Sequence, residues 1–234
     1  MKYIPIKSFA LKGMVLAFLL ANILQAQLEF SGDVTTVSTY TWRGVKQFNG
    51  NALQGTANLS VSFLSFGFWV SSVNFGSDGP SVESDPFFEI ALPSGGEVSS
   101  TIGATAFTYD LFDRFNDDSK QEIEIYSKVG IGSFAAAFFY VPSQPSTKNN
   151  LNHSDYWVEL LVQTSAVNAN FGAMLGFGTY SSKYLPEPQK DPVYHLLLSA
   201  SKPVMESLSA GMNLSLGLSK ELTNLFWIYL SVRI

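Results

Sequence analysis

Tyr40-Thr41-Trp42-Arg43-Gly44-Val45 opens a stretch that continues through Ala52-Leu53-Gln54-Gly55 to Gly67-Phe68-Trp69-Val70-Ser71-Ser72-Val73-Asn74-Phe75. Between its aromatic ends, Leu53, Ala57, Leu59, Val61 and Phe63 alternate with Gln54, Thr56, Asn58, Ser60 and Ser62 without an error. An apolar period of two makes a strand with one apolar and one polar face, whereas a helix needs a period of about 3.6. The stretch therefore predicts a strand end at 40–42, a polar hairpin connection, a full strand, a turn at Leu64 and Ser65, and a return strand reaching Phe75.

The alternation extends in both directions. Upstream, Leu28, Phe30, Val34, Tyr40 and Trp42 share one parity, and Glu29, Ser31, Asp33, Thr35, Thr39, Thr41 and Arg43 share the other. Downstream it predicts strands near 85–92, 98–110, 121–129, 132–141, 156–164, 169–180, 193–201, 208–219 and 225–234, which makes twelve with the first three. Short connections (64–65, 93–97, 130–131, 165–168, 202–207) alternate with long ones (76–84, 111–120, 142–155, 181–192) that carry the Pro, Asn and Asp. Tight turns at one end and long loops at the other is the pattern of outer-membrane barrels, periplasmic and extracellular respectively.

Composition narrows the class. Charged residues are 14% of 234, below the quarter usual in soluble domains, while Gly, Ser, Thr and Asn supply an uncharged polar face. The net charge of −5 argues against nucleic acid, whose phosphates it would repel. With no cysteine there is neither a disulfide framework nor a thiolate metal site. Lys2, Lys7 and Lys12, an apolar run from Met14 to Leu24 broken by Asn22, and Ala26 before Gln27 form the pattern of a secretory signal peptide. The expected organisation is thus an export signal over 1–26 and one domain over 27–234. That leaves 11 basic against 19 acidic residues, a net charge of −8.

A soluble sandwich would bury bulky residues from every strand in its core. Here the polar parity is mostly small and neutral, and strands of about ten residues suit a tilted crossing of a bilayer. Closure into a barrel then pairs every backbone group in lipid. The fold class expected is all-β, an antiparallel transmembrane β-barrel of twelve strands. Tyr40, Trp42, Phe75, Tyr156, Tyr180 and Phe226 lie near strand ends and are candidates for the interfacial aromatic girdle. On the polar parity, Asp33, Arg43, Glu89, Glu122, Glu124, Lys128, Glu159 and Arg233 are pore-lining candidates, with Glu29 and His195 on the same face. The excess of acids would favour cations. Arg43 would either pair with an inward carboxylate such as Glu122 or Glu124, or brace the wall while Gly44 makes a bulge or turn.

The residues quoted at the start resemble, in order and spacing, the N-terminal signature of the TorF-type porin family, exported bacterial proteins otherwise known as conserved hypothetical proteins. The resemblance covers some 36 residues, and beyond them only the strand pattern agrees. It implies an outer-membrane barrel with a porin-like role, and it carries no catalytic residue or substrate. The chain departs from common barrels in ending Val232-Arg233-Ile234 rather than on an aromatic residue read by the barrel assembly machinery.

Function follows as an expectation: passive diffusion of small hydrophilic solutes across a Gram-negative-type outer membrane, with lipid as surroundings. The alternative is a closed structural barrel packed by large inward side chains such as Phe87, Trp157, Leu161, Leu197, Trp227 and Tyr229. The third is a lipid hydrolase, which would need a Ser-His arrangement; His195 and Ser199 share a parity, but serine is abundant throughout. No catalytic residue, cofactor site or metal site is expected. The acidic run Asp113, Asn116, Asp117, Asp118 lacks the spacing and turn glycine of a calcium loop, and Gly172, Gly176 and Gly178 precede no helix that could hold a phosphate.

Overall fold

The computed structural model describes residues 27–48, 50–73, 81–108, 121–142, 154–179 and 192–234. The expected export signal, Phe75, Tyr180, the acidic run after Asp113 and the side chain of Glu122 lie outside them. Fourteen strands occur among the described residues: β1 Leu28–Val37, β2 Tyr40–Trp42, β3 Val45–Phe48, β4 Ala52–Val61, β5 Leu64–Val73, β6 Ser81–Ala91, β7 Val98–Thr108, β8 Gln121–Ile131, β9 Phe134–Val141, β10 Asp155–Ala166, β11 Ala169–Gly178, β12 Val193–Pro203, β13 Leu208–Gly217 and β14 Leu225–Arg233. Twelve of them close an antiparallel barrel in chain order, β4 to β14 and then β1, while β2 and β3 form a separate two-stranded sheet.

Closure is made by β1, which pairs with β4 along its whole length (Leu28↔Val61 to Val37↔Ala52) and with β14 from Asp33↔Arg233 to Val37↔Tyr229. The exchange Gly32 N–H to Ile234 O and Ile234 N–H to Gly32 O continues that seam past the end of β14. β14 and Ile234 thus complete the wall against β1.

The period-two pattern decides which face is which. Leu28 and Phe30 are 67% and 68% exposed, and Phe66, Ile125, Leu160, Met212 and Ile228 lie on the same outer surface. A wall of exposed aliphatic and aromatic side chains on this scale is what hydrocarbon requires of a barrel exterior. The inner face carries the alternate residues, small and polar over much of the wall.

Three large inward side chains do not fill the lumen, because each lies across a glycine of the neighbouring strand. Phe87 opposes Gly67, Tyr126 opposes Gly103 and Tyr229 opposes Gly211. A Cβ on any of these glycines would overlap the ring, so the glycine lets the aromatic side chain lie along the wall instead of projecting inward. Gly211→Val is accordingly expected to lower barrel stability by about 1–3 kcal/mol through overpacking. The urea midpoint in lipid vesicles should fall, and Tyr229→Ala in the same chain should recover part of the loss.

The strand boundaries differ from expectation in two ways. The first tight turn is Ser62-Phe63, not Leu64-Ser65, with Ser62 carrying the reversal at φ 58°. Nothing in the residue type marks that left-handed position, so the apolar run through Leu64 misplaces the turn. The larger difference is that the first barrel strand ends at Val37, and residues 38–51 do not continue it.

Candidate functional site: a hairpin inside the barrel

Tyr40, Trp42, Val45 and Phe48 supply large apolar or aromatic side chains to this segment, enough to give a short strand pair a sticky face. β2 and β3 pair through Trp42↔Val45, Thr41↔Lys46 and Tyr40↔Phe48, with a bulge between Tyr40 and Thr41. Arg43 and Gly44 form the two-residue turn at the tip, with φ of 50° and 79°. Positive φ at both positions is the signature of a type I′ turn, whose twist matches the flanking strands. Glycine is needed at 44 on two grounds: the left-handed backbone, and an approach to the His195 ring so close that a Cβ would stand 3.0 Å from its Cγ.

This hairpin lies within the lumen, near the rim that carries the long connections. Tyr40 is 6% exposed and donates its hydroxyl to Glu83 Oε2 at 2.9 Å. Its ring packs 5.5 Å from that of Trp69, and Trp42 meets Phe107 edge-on at 5.8 Å. On the opposite side, Val45 packs with Trp157, Val193 and Leu222. Tyr40 also joins Val37, Ala52 and Trp227 in a buried cluster against which Phe48 packs. Aromatic surface of this kind dominates the energetics of any interface it enters.

Arg43 is the latch. Its guanidinium lies 2.7 Å from Glu124 Oε2, with the two side chains 9% and 4% exposed. It also sits 4.4 Å from the centroid of Trp42, 4.6 Å from Phe139 and 5.6 Å from Trp157. A buried charge pair is tolerated when both partners are held and further contacts surround them, and a desolvated guanidinium over ring faces gains from each. A non-glycine residue in the left-handed region carries a cost of about 1–3 kcal/mol, and here it aims the guanidinium at that cluster.

Toward the tight-turn rim the lumen opens into a cavity of ≈ 510 Å³ lined by Arg43, Asn58, Glu89, Glu124, Lys128 and Glu159 among others. Glu89 Oε1 accepts from Lys128 Nζ at 2.8 Å and from the Tyr126 hydroxyl at 3.0 Å. Glu159 Oε1 accepts from the Trp157 indole N–H at 3.1 Å. With Arg43 against Glu124 and Lys128 against Glu89, Glu159 leaves this wall one negative charge in excess.

The sequence-derived candidates thus separate. Arg43, Glu124, Glu89, Lys128 and Glu159 meet around one cavity. Asp33 is inward on β1, accepting from Thr35 Oγ1 at 3.1 Å, with Arg233 as its register partner, both far along the wall from the hairpin tip. His195 is 2% exposed, and its Nδ1 lies 3.1 Å from Ser215 Oγ rather than meeting Ser199. This pair faces the lumen, not lipid.

The girdle assignment is corrected for Tyr40 and Trp42, which are lumen residues of the hairpin. The reason is that an aromatic-lined interior offers the same apolar reward as an interface. Phe226 is 61% exposed on the outer face, and Tyr156 shares the outward parity opposite Tyr140. Phe177 and Tyr194, stacked at 6.0 Å near the same rim, were not anticipated. The expected connection 76–84 hides Glu83, whereas Asp85 opens the expected strand 85–92 and is absent from the lumen candidates; the period Glu83, Asp85, Phe87, Glu89 is their sequence signal.

A closed twelve-stranded antiparallel barrel, apolar outside and largely small and polar inside, has the architecture of outer-membrane β-barrels. The fold is similar to that of the NanC porin, with 9% identity, a TM-score of 0.51, and 86% of this chain and 97% of that chain covered. It is also similar to an outer-membrane channel from Pseudomonas putida F1, with 13% identity, a TM-score of 0.50, and coverage of 87% and 94%. At these identities the likeness is one of fold. No curated protein matches the chain. The sequence profile of Gcw_chp, a bacterial protein of unknown function, matches residues 24–186, and the chain belongs to that family.

Proposed function

We propose that this protein is an outer-membrane channel for small hydrophilic solutes, mildly cation-preferring, whose lumen is narrowed by its first long connection. The observation that carries this reading is the hairpin latched by Arg43 and Glu124 above a polar cavity with one uncompensated carboxylate. The apolar exterior, the fold likeness to a porin and a channel, and the resemblance to TorF-type porins support it. On this reading the long connections face the cell exterior, lipid surrounds the wall, and the assembly machinery inserts it. No catalytic step is assigned.

The test is fractionation followed by planar-bilayer recording. The folded chain is expected in the outer-membrane fraction with heat-modifiable gel mobility, and a salt gradient should give a reversal potential of cationic sign. Glu159→Gln removes the carboxylate in excess and should reduce that potential, because a low-dielectric wall focuses the field of each fixed charge. A folded barrel that conducts neither with nor without its hairpin would instead be the closed structural barrel.

A further inference from the structure

The tip of the hairpin rests on a buried imidazole. His195, on β12, is 2% exposed. Gly44 covers one edge of its ring, so closely that a Cβ there would stand 3.0 Å from Cγ and 3.1 Å from Nδ1. Gly176, its register partner on β11, covers the other edge, where a Cβ would overlap Nε2. We propose that His195 is an acid sensor for the hairpin: the neutral ring seats the tip, and a proton on the ring releases it. This deepens the channel reading by naming how the lumen is regulated, and rests on that reading only for the consequence in current.

The seat fits the neutral ring and not the charged one. Nδ1 lies 3.1 Å from Ser215 Oγ, on a residue 1% exposed whose hydroxyl can donate or accept. Nε2 is buried and has no hydrogen-bond partner among the described residues. Its surroundings are the Gly176 backbone and the Trp157 ring, whose centroid lies 5.5 Å from that of the imidazole. A bare ring nitrogen tolerates such a place, whereas an imidazolium carries N–H donors on both nitrogens. The second N–H would be buried without an acceptor, and with it a charge taken out of water. Once the hairpin lifts, lumen water solvates the ring and removes both penalties.

The charged groups around the ring are committed elsewhere. From the hairpin, Arg43 stands next to Gly44 and repels a second positive charge. Glu124 on β8 is held by Arg43 at 2.7 Å. Glu159 on β10 shares the register row of Gly176 and His195, but its Oε1 takes the Trp157 indole N–H at 3.1 Å. β11 and β13 face the ring with Gly176, Gly217 and Ser215, which carry no charge. Leu222, packed with Val193 and Trp157, follows Lys220 and Glu221, themselves 3.8 Å apart. Glu83, which takes the Tyr40 hydroxyl, and Asp85 meet the hairpin at Tyr40, away from its tip. A protonated ring therefore leaves the seated tip with two cations, Arg43 and His195, against the carboxylate of Glu124. Seating is thus present while the ring is neutral and is lost as the pH falls. A ring protonated only after release, at the ordinary imidazole value of about 6.5, raises the ratio of released to seated hairpin roughly thirtyfold from about pH 7.5 to about pH 5.

The test uses the full chain folded in octyl glucoside micelles, with His153→Gln so that His195 is the one imidazole. The chain has no cysteine, so Lys46→Cys on the hairpin and Val70→Cys on the outer face of β5 can carry spin labels. Pulsed electron resonance reads the distance between them, and NMR reads the protonation of His195. A single distance is expected at about pH 7.5, with a released population whose ratio to the seated one grows roughly thirtyfold by about pH 5 and follows the imidazole titration. His195→Gln, which cannot take the proton, should keep the neutral-pH distance in acid and should abolish the acid increase of open probability in planar bilayers. If that variant fails to fold, coincidence of the two titrations in the His153→Gln chain decides. Release of His195→Gln at the wild-type pH would assign the effect to carboxylates such as Glu124. A protonated His195 beneath a seated hairpin would mean that Glu159 turns to the ring. Either result overturns the proposal, as does a distance unchanged down to about pH 5. Because distances are read in micelles, acid release in a barrel that never conducts removes the channel reading alone, and a conducting barrel whose hairpin stays seated in acid removes this one alone.

Discussion

Replacing residues 38–51 by Asn-Gly is expected to raise single-channel conductance by roughly threefold or more, since a barrel of this size leaves water in its lumen once nothing else fills it. Val37 and Ala52 are direct register partners of β1 and β4, so a two-residue type I′ turn can join them without shifting the pairing of either strand. The wall keeps its closure through β1 and β14, and the excised segment belongs to a sheet of its own. What is lost is the inner packing of Tyr40, Trp42, Val45 and Phe48, which contributes to closure of the lumen and not to the ladder. The measurement is conductance in planar bilayers, with heat-modifiable mobility confirming that the shortened chain still folds. Unchanged conductance would mean that the narrowest point lies elsewhere.

Arg43→Ala should unlatch the same hairpin while leaving it in the chain. Removing one member of a buried ion pair costs about 3–5 kcal/mol, because the partner charge stays behind without its compensation. Glu124 is 4% exposed on a wall strand and cannot follow the hairpin to water. The cheaper response is for the hairpin to leave its seat, so the loss should appear as undocking rather than as unfolding of the barrel. Openings on the microsecond to millisecond scale, typical of such local motions, should then show as current noise and frequent long openings. Glu124→Ala should act in the same direction but less strongly, since the Arg43 guanidinium retains its ring faces and can reach water when the hairpin moves. The double variant should be quieter than Arg43→Ala alone, and a double-mutant cycle on open probability would give the coupling. Strict additivity of the two single effects would show that the pair does not hold the hairpin.

The legibility of the fold differs from that of the site for physical reasons. Along β4, every position from Leu53 to Ser60 could be assigned inside or outside from alternation alone, because a one-residue error would turn the whole polar set toward lipid. Glu89, Glu124, Lys128 and Glu159 were found by that rule, and so was the possibility that Arg43 meets Glu124. Glu83 escapes because the residues up to Ser84 look like a connection, while Asp85, at the start of the expected strand, shares the parity of Glu89 that marks it as inward. The large inward side chains Phe87 and Tyr229 suggested a filled lumen. Their glycine partners lie on other strands, so the flat arrangement becomes visible only when register is known.

The sequence by itself determined a twelve-stranded barrel with an apolar exterior, since a period of two and alternating connection lengths leave few other ways to satisfy the backbone. It could not determine where residues 40–48 go. Tyr40 and Trp42 keep the parity of a lipid-facing strand, and lipid or an aromatic interior rewards them, Val45 and Phe48 equally. That interior exists only after closure brings Trp69, Phe107, Trp157 and Trp227 from distant strands to one level of the lumen. The tertiary structure decided for the inside because Arg43 finds there both a carboxylate and three ring faces, which no bilayer interface would supply to it at once.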